Sequence, residues 1–489
     1  MSRMTLATGA SAALLRSDEI VLVAPLALWK GAWGEAVAAL PGAAEIVRAA
    51  VSGASGPLVT LVEGKGVRRI SGLVLPASAG RHLAPSRSEA LYAALGGVAL
   101  GRGASRSILF GLESDEHFAP LATAALRRLP SFTLKSDAPK EGAITLGALD
   151  AAGKPVRPPR SLAARLEAQR WAARLVDMPT SELDTAGFVR ETKKFLRGVA
   201  GVTVKEIKGD QLLAAGLGGI HAVGRAGAVA PRLLVLEYSP KKPRRTVALV
   251  GKGVVYDTGG LSLKSKDGMP GMKSDMGGAA AVAGAFAALA RNGAADRILG
   301  LVPLVENAIN ERAVRNDDVI RMHSGHTVEI NNTDAEGRLI LGDAVSWAAR
   351  QRKPDLIVDA ATLTGAQKVA TGNAHAGIVA SRGALEAAAV AAGRRCGDLV
   401  HPLPFAPEIY QLEFASQVAD MKNSVADRGN AQASCAAQFI WAHVDDLAPA
   451  WLHVDLAGPA FRGGRGTGYG VALLEELTTG LRAEDLRAD

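Results

Sequence analysis

Asp334, Glu336 and Arg338 fall within "INNTDAEGRLILGDA" (330–344), and the chain turns apolar immediately afterwards at "LILG". A charged group entering a protein interior is costly unless it is paired or bound to metal. These carboxylates therefore need a counter-charge. A second set lies upstream in "VGKGVVYDTGGLSLKSKDGMPGMKSDMGGAAA" (250–281), where Lys252 is followed by Asp257, Lys264 and then Asp275 at the start of an Ala-rich run. Each residue alone has a plainer reading: Asp275 as a helix N-cap, Asp334 as a turn residue, Lys264 as a solvated loop cation. Together the four carboxylates sit at turns or element ends beside strongly apolar sequence. They balance two divalent cations in formal charge, and their oxygens can bridge such ions.

The elements that must position these groups are short apolar runs alternating with Ala-rich helical stretches. In the first part of the chain the runs are "EIVLVAP" (19–25), "GPLVTLVEG" (56–64) and "SILFGLE" (107–113). Further on come 232–238, 246–253, 297–306, 355–363, 376–381 and 451–458, apolar almost throughout, as strands buried on both faces are. Lys252 then stands at the end of a strand, where open α/β sheets gather ligands. "SLAARLEAQRWAARLVDM" (161–178) reads as a helix stopped by Pro179, and the uncharged run 276–290 as a buried helix too short for a membrane span. The Pro-, Gly- and charge-rich stretch 137–160 reads as a linker. The expected organisation is an N-terminal α/β domain over 1–150, a linker and connecting helix over 151–178, and a larger α/β domain over 179–489 with a mostly parallel central sheet covered by helices. A chain of 489 residues exceeds what one core usually supports, which agrees with two domains.

Several chemistries are absent from the sequence. It has no His-Glu-x-x-His, no Cys-x-x-Cys and no Gly-x-Ser-x-Gly. The glycines of 214–227 follow a helix instead of joining a strand to one, so they read as packing and turn residues and not as a dinucleotide loop. Two cysteines, Cys396 and Cys435, are too few for a disulfide framework and fit a reducing cytoplasm. "MTLATGASAALL" (4–15) faintly imitates a signal peptide but lacks a Leu-rich core, so export is not expected. A net charge of +8 permits contact with nucleic acid, and its densest basic cluster, "SPKKPRRT" (239–246), reads as an exposed turn between strands or as an anion contact.

"NTDAEGR" (332–338), "VGKGVVYDTGG" with "KSDMGGAAA", "DAATLTGA" (359–366) and "HVDLAG" (453–458), in this order, resemble the leucyl aminopeptidase family of dinuclear metallopeptidases over about 170–475. The resemblance implies an exopeptidase that hydrolyses N-terminal residues from peptides. It makes Lys252, Asp257, Asp275, Asp334 and Glu336 the ligands of two divalent metals, Zn²⁺ or Mn²⁺. Lys252, Asp257, Asp275 and Glu336 would hold one metal, and Asp257, Asp334 and Glu336 the other. Lys252 could ligate only when neutral. Lys264 would polarise the scissile carbonyl, Arg338 would hold a bicarbonate as general base, and water acidified by the metals would be the nucleophile. Met272, Thr362, Leu363, Thr364, Gly365 and Ala457 would contact substrate. The family also implies a cytoplasmic homohexamer serving peptide catabolism. Two segments depart from its pattern: 175–188 is looser, and 420–439 replaces a more common Arg-Pro-Ala-Gly stretch at the rim of the site. A DNA-binding role, as in some bacterial relatives, is the alternative function.

Overall fold

The structure is a computed structural model and describes residues 3–9, 17–53, 56–62, 69–98, 101 and 103–488. The chain divides into two compact units, Met1–Arg170 with Gly393–Leu399, and Trp171–Ala392 with Val400–Asp489. Both are α/β. The division falls inside the helix Leu162–Asp177, which the sequence placed within a residue of these ends.

In the first unit six strands run in the order Met4–Leu6, Ile144–Asp150, Arg106–Leu112, Glu19–Pro25, Arg69–Leu75, Leu58–Leu61. Every pair is parallel except the last. Glu19–Pro25 is buried at every position, as a central strand covered on both faces must be. One expectation fails here. The stretch 137–160 is not a linker throughout, because "ITLGALD" within it is a strand paired parallel to neighbours on both sides. Flanking Pro and Gly supplied the linker signal, while burial of those residues supplies the strand. Of the signal-like segment, Met4–Leu6 is the first strand of the sheet, and residues 10–16 lie outside the described residues.

The second unit is built on a nine-stranded sheet. Its path is Val400–Pro402, Ala376–Ala380, Trp451–Asp455, Leu356–Ala361, Thr246–Gly251, Arg297–Asn307, Arg232–Tyr238, Val202–Lys208, and Gly253–Asp257 pairs parallel with Arg297–Asn307 beside this path. The four strands from Trp451–Asp455 to Arg297–Asn307 are parallel neighbours. Two helices, Gly277–Arg291 and Glu336–Arg352, pack on the middle strands. The first is the uncharged run read as a buried helix, and all but its last residue is buried. Its small side chains let it come very close to the sheet: a Cβ on Gly278 would lie 2.1 Å from the Ala360 carbonyl oxygen. Of the glycines of 214–227, Gly218, Gly219 and Gly224 belong to a helix, Gly218–Gly224, that packs on Glu336–Arg352, while Gly216 and Gly227 flank it.

The basic run 239–246 is an exposed turn between strands. Arg244 and Arg245 both donate to Asp296, at 2.9 and 3.1 Å, and Lys241 and Lys242 remain exposed. Among the described residues no helix is long and apolar enough to cross a membrane.

Candidate metal centre

The carboxyl ends of the parallel strands in the second unit supply most of the site. Thr246–Gly251 delivers Lys252, Gly253–Asp257 ends on Asp257, Leu356–Ala361 runs into Thr362–Gly365, and Trp451–Asp455 leads to Ala457. Ligand sites in open α/β sheets form at such strand ends. Glu336 is the first residue of its helix, so "LILG" is a helical anchor with Leu339, Ile340 and Leu341 buried in the core. Asp275 does not cap the Ala-rich helix, whose N-cap is Met276. Its carboxylate turns instead toward Lys252 and Thr362, and Thr362 Oγ1 donates to Asp275 Oδ1 at 2.9 Å.

Lys252 Nζ lies 2.9 Å from Asp275 Oδ1, 2.9 Å from Glu336 Oε1 and 3.0 Å from the Thr362 carbonyl oxygen. Lys264 Nζ lies 2.8 Å from Asp257 Oδ2 and also contacts Asp334. One oxygen from each of Asp257, Asp334 and Glu336 comes within 4.8 Å of the others. These are the three residues that the family resemblance assigns to one of the two metals. Lys252, Asp257, Asp275, Glu336 and Arg338 are all buried, whereas Asp334 keeps about a third of its side chain, 34%, in solvent. The glycine in "AEGR" has a steric reason: a Cβ at Gly337 would sit 2.6 Å from Lys252 Cε, so any side chain there would push the lysine from its place beside Glu336.

Burial raises the pKa of Asp275, Glu336 and Asp334. Neighbouring carboxylates raise them further, and the two lysines pull them part of the way back. Burial alone would lower the amine pKa of Lys252, but the charges of Asp275, Glu336 and Asp257 prevail and raise it. Lys264 follows the same balance, with Asp257 and Asp334 prevailing. Arg338 is pushed down to about 10 by burial, with Glu336 acting against the fall. Such a nest of buried negative charge is stabilised by further positive charge.

The donor set fits a divalent cation. Glu336 Oε2 is buried with no hydrogen-bond partner, and Asp275 Oδ2, although 2.8 Å from Lys252 Nζ, receives no directed hydrogen bond. Carboxylate oxygens are the ligands hard divalent ions take, and an amine serves once its proton has left. Asp257 has its other oxygen fixed from behind, accepting from the Gly259 N–H at 2.9 Å and from Asn307 Nδ2 at 2.8 Å.

The carboxylates and both lysines line one cavity of about 600 Å³. Its walls bring together every residue the sequence singled out: Lys252, Asp257, Asp275, Asp334 and Glu336, Lys264 and Arg338, and Met272, Thr362, Leu363, Thr364, Gly365 and Ala457. They also contain residues that were not singled out, among them Asn332, Lys368, Ser424, Val425, Arg428 and Gln432. The last four come from 420–439, the stretch flagged as departing from the family pattern. Its Asn423 is fully buried, accepts from the Asn331 and Asn332 N–H groups at 3.0 and 3.2 Å, and offers its carbonyl to an Arg338 guanidinium nitrogen at 3.1 Å.

A mostly parallel α/β sheet with a carboxylate nest at its strand ends, open to a cavity of this size, has the donor set of a divalent-metal site of the kind hydrolases use. Residues 170–475 match the model of the cytosol aminopeptidase family, catalytic domain, and the chain belongs to that family. It is 46% identical over 411 residues to a probable aminopeptidase, NPEPL1, of Mus musculus, covering 82% of this chain and 78% of that protein. Among solved structures, leucyl aminopeptidase from Trypanosoma brucei in complex with bestatin superposes with a TM-score of 0.90 at 36% identity, covering 98% of this chain and 96% of that one. The bottromycin maturation enzyme BotP in complex with Mn superposes with a TM-score of 0.77 at 29% identity, covering 95% and 99%. The fold and site are those of an aminopeptidase, a hydrolase of peptide bonds.

Proposed function

We propose that the chain is a cytoplasmic aminopeptidase working with two divalent ions, Zn²⁺ or Mn²⁺, and releasing leucine and other N-terminal residues from peptides. The observation that carries this is the approach of the Asp257, Asp334 and Glu336 oxygens to within 4.8 Å, beside the Lys252–Asp275 pair. Lys252, Asp257, Asp275, Asp334 and Glu336 would hold the ions. When bound, the ions supply Lewis acidity and lower the pKa of water.

The rest of the work falls to the chain's own groups. The amine of Lys264, beside Asp257 and Asp334, orients the scissile carbonyl through its oxygen. Arg338 is a buried guanidinium whose Nε has no hydrogen-bond partner, which suits it to hold a planar bicarbonate, and such an anion would supply a general base. Backbone and hydroxyl groups of Thr362–Gly365 align the peptide, while Met272, Leu363 and Ala457 form an apolar wall for the first side chain. Such a wall separates side chains differing by one methylene by only ~1–3 kcal/mol, so several apolar N-terminal residues are accepted. The family resemblance supports a homohexamer as the working form.

The test is chelation. Exhaustive removal of divalent ions abolishes leucinamide hydrolysis, and adding back Zn²⁺ or Mn²⁺ restores it. Turnover that survives chelation rejects the reading.

A further inference from the structure

The four carboxylates that line the cavity all belong to the nest, and each is already matched by a lysine, Asp275 and Glu336 by Lys252 and Asp257 and Asp334 by Lys264. Apart from these and Arg338, the charged side chains in the wall are Lys368 and Arg428. Both are exposed, whereas the nest is mostly buried, which places the two cations at the mouth. Among the described residues no carboxylate pairs with either side chain.

Each is mounted on an anchored stub. Lys368 is on the helix Gly365–Thr371, capped by Thr364, whose side chain accepts from the Gln367 N–H at 3.0 Å. Arg428 is on a loop tied to Glu413, which accepts from the Asp427 N–H at 2.9 Å and from Asn430 Nδ2 at 2.7 Å. The neighbouring acid, Asp427, is turned to its own loop, accepting from the Gly429 N–H at 2.7 Å, and does not line the cavity.

We propose that Lys368 and Arg428 select substrates carrying a carboxylate on the residue after the scissile bond, so that dipeptides and short peptides acidic at that position are preferred. This rests on the aminopeptidase reading of the same site. The peptide's amine and first side chain occupy the buried end, and the chain leaves through the mouth. One residue spans at most ~3.6 Å, so the group following the first bond is the first to leave the buried end toward the mouth. With divalent ions neutralising the nest, the remaining charge of the wall is cationic. It attracts a carboxylate and repels an ammonium. The carboxylate can be the C-terminus of a dipeptide or an aspartate side chain.

The experiment compares kcat/KM for Leu-Gly, Leu-Gly-amide, Leu-Asp-amide and Leu-Lys-amide at low and high salt. Leu-Gly and Leu-Asp-amide should exceed Leu-Gly-amide by about fivefold for each cation engaged, the upper range for a partly exposed ion pair, and Leu-Lys-amide should fall below it. The differences should lie in KM and shrink as salt rises. In Lys368→Gln, Arg428→Gln and the double variant the ratio of Leu-Gly to Leu-Gly-amide falls stepwise toward one, while Lys368→Arg and Arg428→Lys retain it. Preference for Leu-Gly alone identifies the chain terminus as the carboxylate, and preference for both identifies any carboxylate. Wild-type ratios near one, or ratios unchanged in the double variant, overturn the proposal and leave the aminopeptidase reading standing. No cleavage of any of the four by metal-loaded wild type overturns both. Because the salt and substrate comparisons are made on wild type, the result does not depend on the variants folding.

Discussion

Asp257 Oδ1 takes two donors, the Gly259 N–H and Asn307 Nδ2, and Asp257 Oδ2 lies 2.8 Å from Lys264 Nζ. Asn307 in turn donates to the Thr333 carbonyl at 3.1 Å, which links Asp257 to the segment bearing Asp334 and Glu336. Losing the carboxylate and losing the amide behind it should therefore differ in kind. Asp257→Ala removes a proposed ligand: metal content per chain should fall in elemental analysis, and excess metal should not restore leucinamide turnover. Asn307→Ala keeps the ligand but frees its orientation. Groups behind a ligand are worth roughly 10–100-fold in metal affinity, so this variant should need more metal for half-maximal turnover by about that factor and recover when saturated. A metal requirement equal to wild type in Asn307→Ala would remove Asn307 from the site.

At the scale of elements, Asp343 ties two pieces that carry none of the proposed ligands to a helix that carries one. It is fully buried on the helix Glu336–Arg352, and its two oxygens accept from the Ile220 N–H at 2.9 Å and the His323 N–H at 2.8 Å. It thereby ties Gly218–Gly224 and the turn after Val319–Arg321 to the helix that begins with Glu336. Asp343→Ala leaves the buried Ile220 N–H and the half-buried His323 N–H without their acceptors, a loss of about 1–3 kcal/mol for the buried donor and less for the other, visible as a lower urea midpoint. Burial pushes the carboxyl up to about 7, against the pull of the backbone donors. A carboxyl whose folded pKa lies above its unfolded value contributes stability in full below that unfolded value and loses it as pH rises through the folded one. The wild-type urea midpoint should therefore fall between pH 5 and pH 8 by more than that of Asp343→Asn. His443, lowered to about 3 by burial, works in the opposite direction but is present in both proteins, so the comparison isolates Asp343. Equal slopes would show that Asp343 does not titrate in this range. None of this was legible in the sequence, where Asp343 is one more polar residue on a helix. Strands such as Arg232–Tyr238 were legible because burial on both faces leaves an unbroken apolar run. The edge strand Val202–Lys208, "VTVKEIK", was not, since its charges face solvent and break the run. Asp257, Asp334 and Glu336 could be read from chemistry and spacing. Asn307 and Asn423 could not, because they act on groups from remote segments, and the pairing of Thr327–Glu329 with Met421–Lys422 brings Asn423 to residues 331 and 332.

For the molecule as a whole, each unit buries a core of its own. Val21, Val23, Phe110 and Leu146 are among the first unit's core residues, and Val250, Leu299, Leu339 and Trp451 among the second's. Every residue proposed to hold metal lies in Trp171–Ala392, so the binding energy of the ions enters the stability of the second unit directly. A ligand at a free concentration about 100 times its Kd stabilises the state that binds it by ~2.7 kcal/mol. For a unit of this size each kcal/mol moves the melting temperature by about 2 °C. Calorimetry with saturating Mn²⁺ and again after chelation should show two transitions, one of which drops by about 5 °C on metal removal while the other stays in place. The moving transition should be the one along which leucinamide hydrolysis is lost when samples are heated in steps and assayed with metal restored. In Asp257→Ala the same transition should no longer respond to metal. A single transition that shifts as a whole would show that the two units melt cooperatively, and a transition unmoved by metal in wild type would mean that these carboxylates hold no ion tightly enough to matter for folding.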